Sequence, residues 1–431
     1  DIYEKDKDVE GLLLINHGLF TFGNTAKESY DRHINSVTLA ENYIAKKQIR
    51  SINIIKPFKK ELKENNLLRM ISPLLRGLYN KKTGKFWVIH FRESEKAKAF
   101  ASSKEVSIWS QIGTATPDHV IRTKQKPLLL NLKQWENTEL LRKEISSALE
   151  KYCEEYHQYF LENKMAKGVE KQELDQLPRV ILVHGLGLIT IGKTVKETKI
   201  AADIYEHTID IIHKSFSLGD YTPLKPSDLF DMEYWSLEQA KLGKNKNPPL
   251  YGKIAFITGA ASGIGLATAK LFAEKGANLF LVDLSEKKLN KVSEQIRNNN
   301  NVDVISKIIN VTDEKGLKQS FDELLDHYGG LDIMISNAGN AFQGPIGQID
   351  LNILRKSFEL NFFSHQILAS LAVDIFLKQE SGGVLLFNAS KAAFNPGKNF
   401  GPYAIPKAAI VALTKQYALD YGSFGIRSNA I

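Results

Sequence analysis

Hydrophobic and polar positions in the second half of the chain follow two alternating patterns. Short apolar or β-branched runs, typical of buried parallel strands, are separated by longer runs whose apolar residues recur at helical spacing. The predicted strands are 254–257, 278–282, 304–309, 333–336, 384–387 and 426–431, and the clearest helices are 264–275 and 404–421. This alternation predicts right-handed βαβ units and therefore an α/β fold with a doubly wound parallel sheet.

The first half of the chain contains an internal repeat. Residues 18–28 (GLFTFGNTAKE) align with residues 187–197 (GLITIGKTVKE), with seven of eleven positions identical at an offset of 169 residues. In each copy an apolar strand precedes the segment, and a long helix follows it over 26–46 or 195–214. The period is too long for a solenoid and predicts two related α/β domains in tandem. The strand before the first copy, 11–15, is predicted to be buried.

A polar stretch that ends in two prolines separates the two halves, as expected of a linker. We therefore predict four regions: the C-terminal part of a first domain (1–50), a second, degenerate copy of that domain (51–240), the linker (241–251) and the parallel-sheet domain (252–431). The chain begins without Met just before one predicted strand and stops inside another. Because domains rarely start or end within their own core, we expect both ends to be truncated.

Composition narrows the class of protein. The chain has 431 residues, 43% of them hydrophobic, and a formal net charge of +8. Its lysines are interspersed with acids and no Arg-rich tract occurs, so we expect no nucleic-acid partner. Cys153 is the only cysteine, which excludes an intrachain disulfide and fits a cytoplasmic location. No apolar run approaches the length that a membrane-spanning helix needs, so we expect no membrane partner.

A glycine-rich loop follows the first strand of the second half. In Thr258-Gly-Ala-Ala-Ser-Gly-Ile-Gly265, Gly259, Gly263 and Gly265 allow the backbone to turn sharply and to approach a pyrophosphate without a Cβ in the way. The helix that starts here offers free N–H groups and a positive dipole end to the phosphates. The loop therefore predicts a dinucleotide site, although many glycine loops are only turns.

Asp283 ends the second strand, eighteen residues after Gly265. A carboxylate at this point can accept hydrogen bonds from the adenosine ribose hydroxyls and repels a 2′-phosphate, which favours NAD over NADP. The alternative is a structural acid at a helix N-terminus, since Ser285 and Glu286 follow.

The pair Tyr403 and Lys407 lies four residues apart, and therefore on one face of a helix. The lysine cation would favour the tyrosinate, which would make Tyr403 a general acid–base group. Ser390, thirteen residues before Tyr403, would hydrogen-bond the reacting oxygen. Each residue alone has an ordinary structural role as a packing or capping group, but the set in this order favours catalysis.

Taken together, these motifs resemble the short-chain dehydrogenase/reductase family over 252–431. The resemblance implies a Rossmann-type domain, a nicotinamide cofactor and the catalytic set Asn361, Ser390, Tyr403 and Lys407, with Lys407 also on the nicotinamide ribose and Asn361 in a proton relay. The implied cofactor contacts are Thr258, Gly259, Ser262, Gly263, Ile264, Gly265, Asp283, Asn310, Val311, Asn337, Ala338, Gly339, Tyr403 and Lys407. Two features depart from the family: Asn310 replaces a frequent acid near the adenine, and no Pro-Gly turn follows within this sequence.

The first half resembles class II aldolases. Asn16-His17-Gly18 matches a family motif that implies His17 as one ligand of a catalytic zinc ion, with the remaining ligands and the catalytic acid expected before residue 1. The second copy has Leu186 opposite His17, so we predict that it is mainly structural. Further segments resemble a bifunctional family in which rhamnulose-1-phosphate aldolase is fused to a short-chain alcohol (lactaldehyde) dehydrogenase: 116–124, 184–187, 228–231 and 233–241.

This resemblance implies a homo-oligomeric enzyme of rhamnose catabolism. A zinc-dependent lyase would cleave rhamnulose 1-phosphate to dihydroxyacetone phosphate and lactaldehyde, which the NAD-dependent domain would oxidise or reduce. One alternative is another secondary-alcohol or sugar-alcohol dehydrogenase, in which the aldolase-like region is an inert assembly platform. A non-enzymatic alternative for the first half is an adducin-like interaction module, because the same fold also serves as a scaffold.

Overall fold

A computed structural model describes residues 2–15, 17–47, 64–240 and 247–431. Strands β1 to β12 are, in order, Gly11–Leu14, Gly18–Thr21, Val88–Arg92, Leu128–Leu130, Val180–Val183, Gly187–Gly192, Ile254–Thr258, Asn278–Asp283, Val304–Ile308, Ile333–Ser336, Gly383–Phe387 and Ile426–Ala430. Helices α1 to α16 are Ile2–Lys5, Ala26–Ala45, Glu64–Thr83, Glu95–Ala101, Val106–Trp109, Val120–Thr123, Thr138–Lys167, Val195–Leu218, Pro226–Glu233, Ser236–Ala240, Gly263–Glu274, Glu286–Asn299, Glu314–Tyr328, Leu351–Phe358, Ser364–Gln379 and Gly401–Tyr421.

The C-terminal domain is built on six parallel strands in the order β12-β11-β10-β7-β8-β9. Helices α11 and α12 pack on one face of this sheet, and α13, α15 and α16 pack on the other. Every residue of β7 is buried, as expected for a parallel strand covered on both sides. The predicted α/β architecture is confirmed. Chain order reverses between β7 and β10, which opens a crevice at the carboxyl ends of these strands.

The middle of the chain forms a smaller four-stranded sheet in the order β3-β6-β5-β4. Strand β6 is antiparallel to β3 and to β5, and β5 is parallel to β4. Helices α3 and α7 contribute to a core on one face, and α4 and α8 contribute to a core on the other. Helix α3 also packs against α13 and α15 of the C-terminal domain, so the two domains are in contact through these helices.

The two repeat copies have the same hairpin register. Leu14 pairs with Gly18 in the β1–β2 hairpin, and Val183 pairs with Gly187 in the β5–β6 hairpin. The prediction that 11–15 is buried is wrong, because Leu13 is 76% exposed and Ile15 is 87% exposed. In the second copy β3 and β4 flank the hairpin, whereas within the described ranges no strand flanks β1 or β2.

Residues 351–379 form one long helical stretch that passes through a π-helical segment, Glu359–Phe363. Its most apolar window has a mean hydropathy of 1.4, so by length and composition it could cross a membrane, contrary to the expectation from sequence. Half of this window is buried inside the molecule, where Leu368, Ala372 and Phe376 join the core beneath the large sheet. The apolar composition therefore has an explanation in core packing.

Candidate active site

The glycine-rich loop between β7 and α11 lines a cavity of about 610 Å³ at the carboxyl edge of the large sheet. Gly259 has a φ of +65°, and a Cβ at this residue would lie 2.8 Å from Nδ2 of Asn337. A Cβ at Gly265 would lie 2.2 Å from the carbonyl oxygen of Gly259. The loop thus requires glycine for conformation at one position and for close approach at the other. The N-terminus of α11 opens toward the cavity, as a phosphate site requires.

The carboxylate of Asp283 is held at the end of β8, where it lines the same cavity. Its Oδ2 accepts a hydrogen bond from the Ala261 N–H at 3.0 Å, and its Oδ1 accepts one from the Ser285 N–H at 2.9 Å. The side chain therefore has a structural role and also presents its charge to the cavity. The ribose role of Asp283 stays a prediction, and the remaining acceptor capacity of the carboxylate leaves room for a ribose diol.

The ends of β7 and β10 are joined by a short hydrogen-bond network. Oγ1 of Thr258 accepts from the N–H groups of Asn337 and Ala338 at 3.0 and 3.1 Å. The side-chain amide of Asn337 donates back to the Thr258 carbonyl oxygen at 2.9 Å. These bonds fix the floor of the cavity at the point where the chain order of the sheet reverses.

Lys407 and Tyr403 lie on α16 beside this floor. Nζ of Lys407 donates to the Asn388 carbonyl oxygen at 2.6 Å and lies 5.8 Å from the centroid of the Tyr403 ring. Burial lowers the pKa of Lys407 to about 8, because removal from water disfavours the charged form. Ser390 begins the short 3₁₀ turn Lys391–Ala393, where its Oγ accepts from the Ala392 N–H at 3.1 Å.

Asn361 is fully buried in the π-helical segment, a distortion that occurs frequently at functional sites. Its Nδ2 donates to the Asn340 carbonyl oxygen at 2.9 Å and to Oγ of Ser357 at 3.0 Å. A Cβ at Gly339 would lie 2.9 Å from Oδ1 of Asn361 and 3.5 Å from Nζ of Lys407. Glycine at 339 therefore lets the cofactor loop approach both predicted catalytic groups.

Most of the predicted cofactor residues lie around one cavity. Those that line it are Gly259, Ser262, Gly263, Ile264, Asp283, Val311, Asn337, Ala338 and Gly339. Thr258 and Gly265 support the loop from beneath. Asn310 does not line the cavity, and its Oδ1 accepts from the Thr312 N–H at 3.1 Å. Ser390 lines a neighbouring cavity of about 410 Å³.

Two residues of this region were missed in the sequence. Asn388 donates from Nδ2 to Oδ1 of Asn337 at 2.8 Å, so it connects the cofactor loop to Lys407. The available signal was an asparagine directly after a buried strand, two residues before Ser390. His365 is buried, with Nδ1 2.7 Å from Oγ of Ser336. Burial, assisted by the charge of Lys407, lowers the pKa of His365 to about 3. The apolar sequence around His365 gives no sign of its buried contact with Ser336.

The predicted zinc ligand is not assembled into a site by the described residues. His17 lies in the exposed turn between β1 and β2, where its ring stacks on Phe20 with centroids 5.9 Å apart. Across the described parts of the chain, no group of three or more His, Cys, Asp or Glu side chains could hold a metal ion. This donor set does not fit a catalytic zinc ion, which takes three protein ligands. The ligand role of His17 stays a prediction.

Two family models match the two halves of the chain. A model described as aldolase class II, second domain, matches residues 66–242, and a short chain dehydrogenase model matches residues 253–431. The 3beta-hydroxysteroid dehydrogenase 2 of Eggerthella lenta is 32% identical over 43% of this chain and 71% of its own length. The C-terminal half belongs to the short-chain dehydrogenase family.

One relative aligns with nearly the whole chain, across both of the matched regions. The uncharacterised oxidoreductase YuxG of Bacillus subtilis is 29% identical over 98% of this chain, which spans 61% of YuxG's length. Carveol dehydrogenase from Mycobacterium avium in complex with NAD is 24% identical, with a TM-score of 0.41 over 42% of this chain and 70% of that structure. The match of residues 253–431 to the short-chain dehydrogenase family shows that the chain is an enzyme with such a domain. The glycine-rich lining of its cavity fits a nicotinamide cofactor.

Proposed function

We propose that this chain is an NAD-dependent oxidoreductase for a small alcohol or aldehyde, with lactaldehyde as the substrate. The observation that carries the proposal is the contact of Lys407 with Asn388, which lines the cavity that Asp283 and the glycine-rich loop define, with Tyr403 next to Lys407 on α16. A general acid–base group, a buried cation and a dinucleotide cradle at one sheet edge are the parts that hydride transfer to a carbonyl requires.

The nicotinamide, when bound, supplies or accepts the hydride. Ser390 would hold the carbonyl or hydroxyl oxygen of the substrate by a hydrogen bond, and Tyr403 would give a proton to that oxygen or take it away. Lys407, fixed by Asn388, would favour the tyrosinate electrostatically. Asn361, buried against Asn340, would keep the helix distortion in place for a proton path to Lys407. These roles follow the resemblance to the short-chain dehydrogenase family.

The cofactor preference for NAD rests on Asp283. Its carboxylate is fixed by two backbone N–H groups and lines the cavity. A 2′-phosphate at this place would meet a negative charge that cannot rotate away without breaking those bonds, whereas a ribose diol would donate hydrogen bonds to it.

The substrate class follows from the fusion. A class II aldolase domain in the same chain suggests that a lyase releases an aldehyde close to the dehydrogenase, and lactaldehyde from rhamnulose 1-phosphate is the case that the sequence resembles. We propose this role in rhamnose catabolism for the whole protein, as a cytoplasmic homo-oligomer. The zinc-dependent step is not assigned to the residues described here.

The test is a turnover assay with the whole protein that carries this chain. Lactaldehyde with NADH, and 1,2-propanediol or lactaldehyde with NAD⁺, are followed by absorbance at 340 nm. We expect turnover in at least one direction with NAD(H). We also expect a kcat/KM at least about tenfold lower with NADP(H), a difference of about 1.4 kcal/mol, because the carboxylate of Asp283 repels a 2′-phosphate. No turnover of lactaldehyde in either direction would reject the substrate.

A second candidate is a dehydrogenase of larger secondary alcohols. It is favoured by the 32% identity of residues in this half to a 3beta-hydroxysteroid dehydrogenase. The same assay with a 3β-hydroxysteroid distinguishes the two candidates, since kcat/KM reports which substrate the site stabilises better in the transition state. A higher value for the steroid than for lactaldehyde would replace the first proposal.

A further inference from the structure

A buried arginine of the aldolase-like domain reaches into the dehydrogenase domain. Arg76 lies on α3 with no exposed surface. Its Nη1 and Nη2 donate to Oδ1 and Oδ2 of Asp332 at 2.8 and 2.7 Å, and its Nε donates to the Trp87 carbonyl oxygen at 2.6 Å. This fork-on-carboxylate geometry is the strongest and most directional ion pair available to proteins.

The partner of this arginine ties two strands together. Asp332 immediately precedes β10, and its Oδ2 also accepts from the N–H of Ile254, the first residue of β7, at 2.7 Å. Gln379 lies at the end of α15. Its Oε1 accepts a hydrogen bond from the Leu331 N–H, and its Nε2 donates one to the Leu331 carbonyl oxygen. Strands β7 and β10 are the neighbours that carry the glycine-rich loop and Asn337 at their other ends.

The contact between the domains has no free space. A Cβ at Gly77 of α3 would lie 1.7 Å from the Gln379 carbonyl oxygen, and a Cβ at Gly330 would lie 2.7 Å from Cδ of Arg76. Val88 of β3 is buried in the same core as Tyr328 and Phe376 of the dehydrogenase domain. Close-packed interfaces of this kind transmit strain because they cannot deform gradually.

We infer that Arg76 is a positioning residue for the cofactor site, and that through Asp332 it couples nucleotide binding to the stability of the aldolase-like domain. Loss of the fork leaves Asp332 buried without its cation and releases the amino ends of β7 and β10. Coupling between two sites is reciprocal, so a nucleotide that needs these strands in place also stabilises the domain that fixes them. The inference rests on the nucleotide site of the proposed function.

The positions of the tryptophans allow a direct measurement. The chain has four tryptophans, Trp87, Trp109, Trp135 and Trp235, all before residue 241, and residues 252–431 contain none. Unfolding followed by tryptophan fluorescence therefore reports on the aldolase-like domain alone. NAD⁺ is the suitable probe because, unlike NADH, it does not accept energy from tryptophan.

The experiment uses the full chain with NAD⁺ at about a hundred times its Kd. We expect the midpoint of thermal unfolding seen by tryptophan fluorescence to rise by about 3 °C. In Arg76→Met we expect calorimetry to show about tenfold weaker NAD⁺ binding, and the rise to disappear. Arg69→Met is the matched control, since Arg69 pairs with Asp326 on α13 across the same interface but touches neither strand. It should retain both the affinity and the rise.

Calorimetry could show that the wild-type chain binds NAD⁺ while the midpoint of thermal unfolding followed by tryptophan fluorescence does not rise. This result would overturn the coupling and leave the proposed function standing. Absence of NAD⁺ binding would overturn both. If Arg76→Met does not fold, Arg76→Lys keeps the charge without the fork and should lose part of the affinity and part of the rise. Wild-type values for both quantities in either Arg76 variant would contradict the positioning role.

Discussion

The two copies of the internal repeat have the same local structure in opposite surroundings. Thr25 and Thr194 each cap a helix by accepting from a glutamate N–H at 3.1 Å. The side chains of Thr21 and Thr190 each donate to a helix carbonyl eight residues later. Helix α8 nevertheless buries eight residues and α2 buries none. Local sequence therefore determines the turn and the cap, whereas burial requires elements from distant parts of the chain.

The same difference separates the two candidate sites. The dehydrogenase cavity takes residues from the ends of β7, β8, β10 and β11, which the sheet brings to one edge. Lys407 of α16 bonds to Asn388 at this edge. His17 lies at the end of a hairpin whose edges meet no other strand in the described residues. A motif becomes a site only where the fold supplies its other members.

The largest expected effect compares the two candidate sites. Ser390→Ala should lower kcat of the dehydrogenase reaction by about 10²- to 10⁴-fold, because the oxygen of the substrate loses its hydrogen-bond partner. His17→Ala should leave that kcat within twofold of the wild-type value, since His17 lies outside the cavity. Steady-state rates at 340 nm measure both. A loss of dehydrogenase activity in His17→Ala would remove the distinction between the two regions.

The next effect compares equivalent positions of the repeat. Ile189 is fully buried, whereas Phe20, at the corresponding position of the first copy, is 50% exposed. Ile189→Ala should cost about 2–4 kcal/mol of unfolding free energy through the cavity that it leaves, and Phe20→Ala should cost less than about 1 kcal/mol. Urea unfolding provides the values. Equal costs would show that the first hairpin is as well covered as the second.

A third prediction concerns the pH dependence of stability. The pKa of Lys407, about 8 in the folded chain, lies below its ordinary value, so the unfolded chain binds more protons between pH 8 and about pH 10.5. The free energy of unfolding should therefore gain a contribution that rises with pH through this window, by up to about 3 kcal/mol. In Lys407→Met this contribution should vanish. Parallel denaturation curves for the two proteins at pH 7.5 and 9.5 test it.

The smallest effect concerns cofactor choice. Asp283→Ala should reduce the preference for NAD⁺ over NADP⁺ by about tenfold, or about 1.4 kcal/mol, because the charge that repels the 2′-phosphate is removed. The ratio of kcat/KM values for the two nucleotides measures the change. An unaltered ratio would mean that another group distinguishes the ribose 2′-hydroxyl from a 2′-phosphate.

The part of the fold that follows local patterns was predictable. The six strands of the large sheet and helices α11 and α16 lie within a few residues of their predicted bounds, because buried parallel strands form continuous apolar runs. The loop glycines were recognisable since backbone conformation and close approach leave no other residue. The exposure of strand 11–15 was not predictable, because it depends on what covers the strand.

Contacts between distant segments could not be predicted from the sequence for a related reason. Arg76 and Asp332 are 256 residues apart, and each has the pattern of an ordinary surface residue beside an apolar run. Asn388 and His365 similarly lack a periodic or motif signal, and their roles follow from partners that only the folded sheet brings near.

The central claim is that Tyr403 transfers the proton in a nicotinamide-dependent reaction. Its most direct test is Tyr403→Phe in the complete protein, with turnover followed at 340 nm and NADH binding measured by calorimetry. We predict at least a hundredfold loss of kcat, with the Kd for NADH unchanged within a factor of about three, because the ring remains and only the hydroxyl is lost. Turnover at the wild-type rate would contradict the role of Tyr403 in proton transfer.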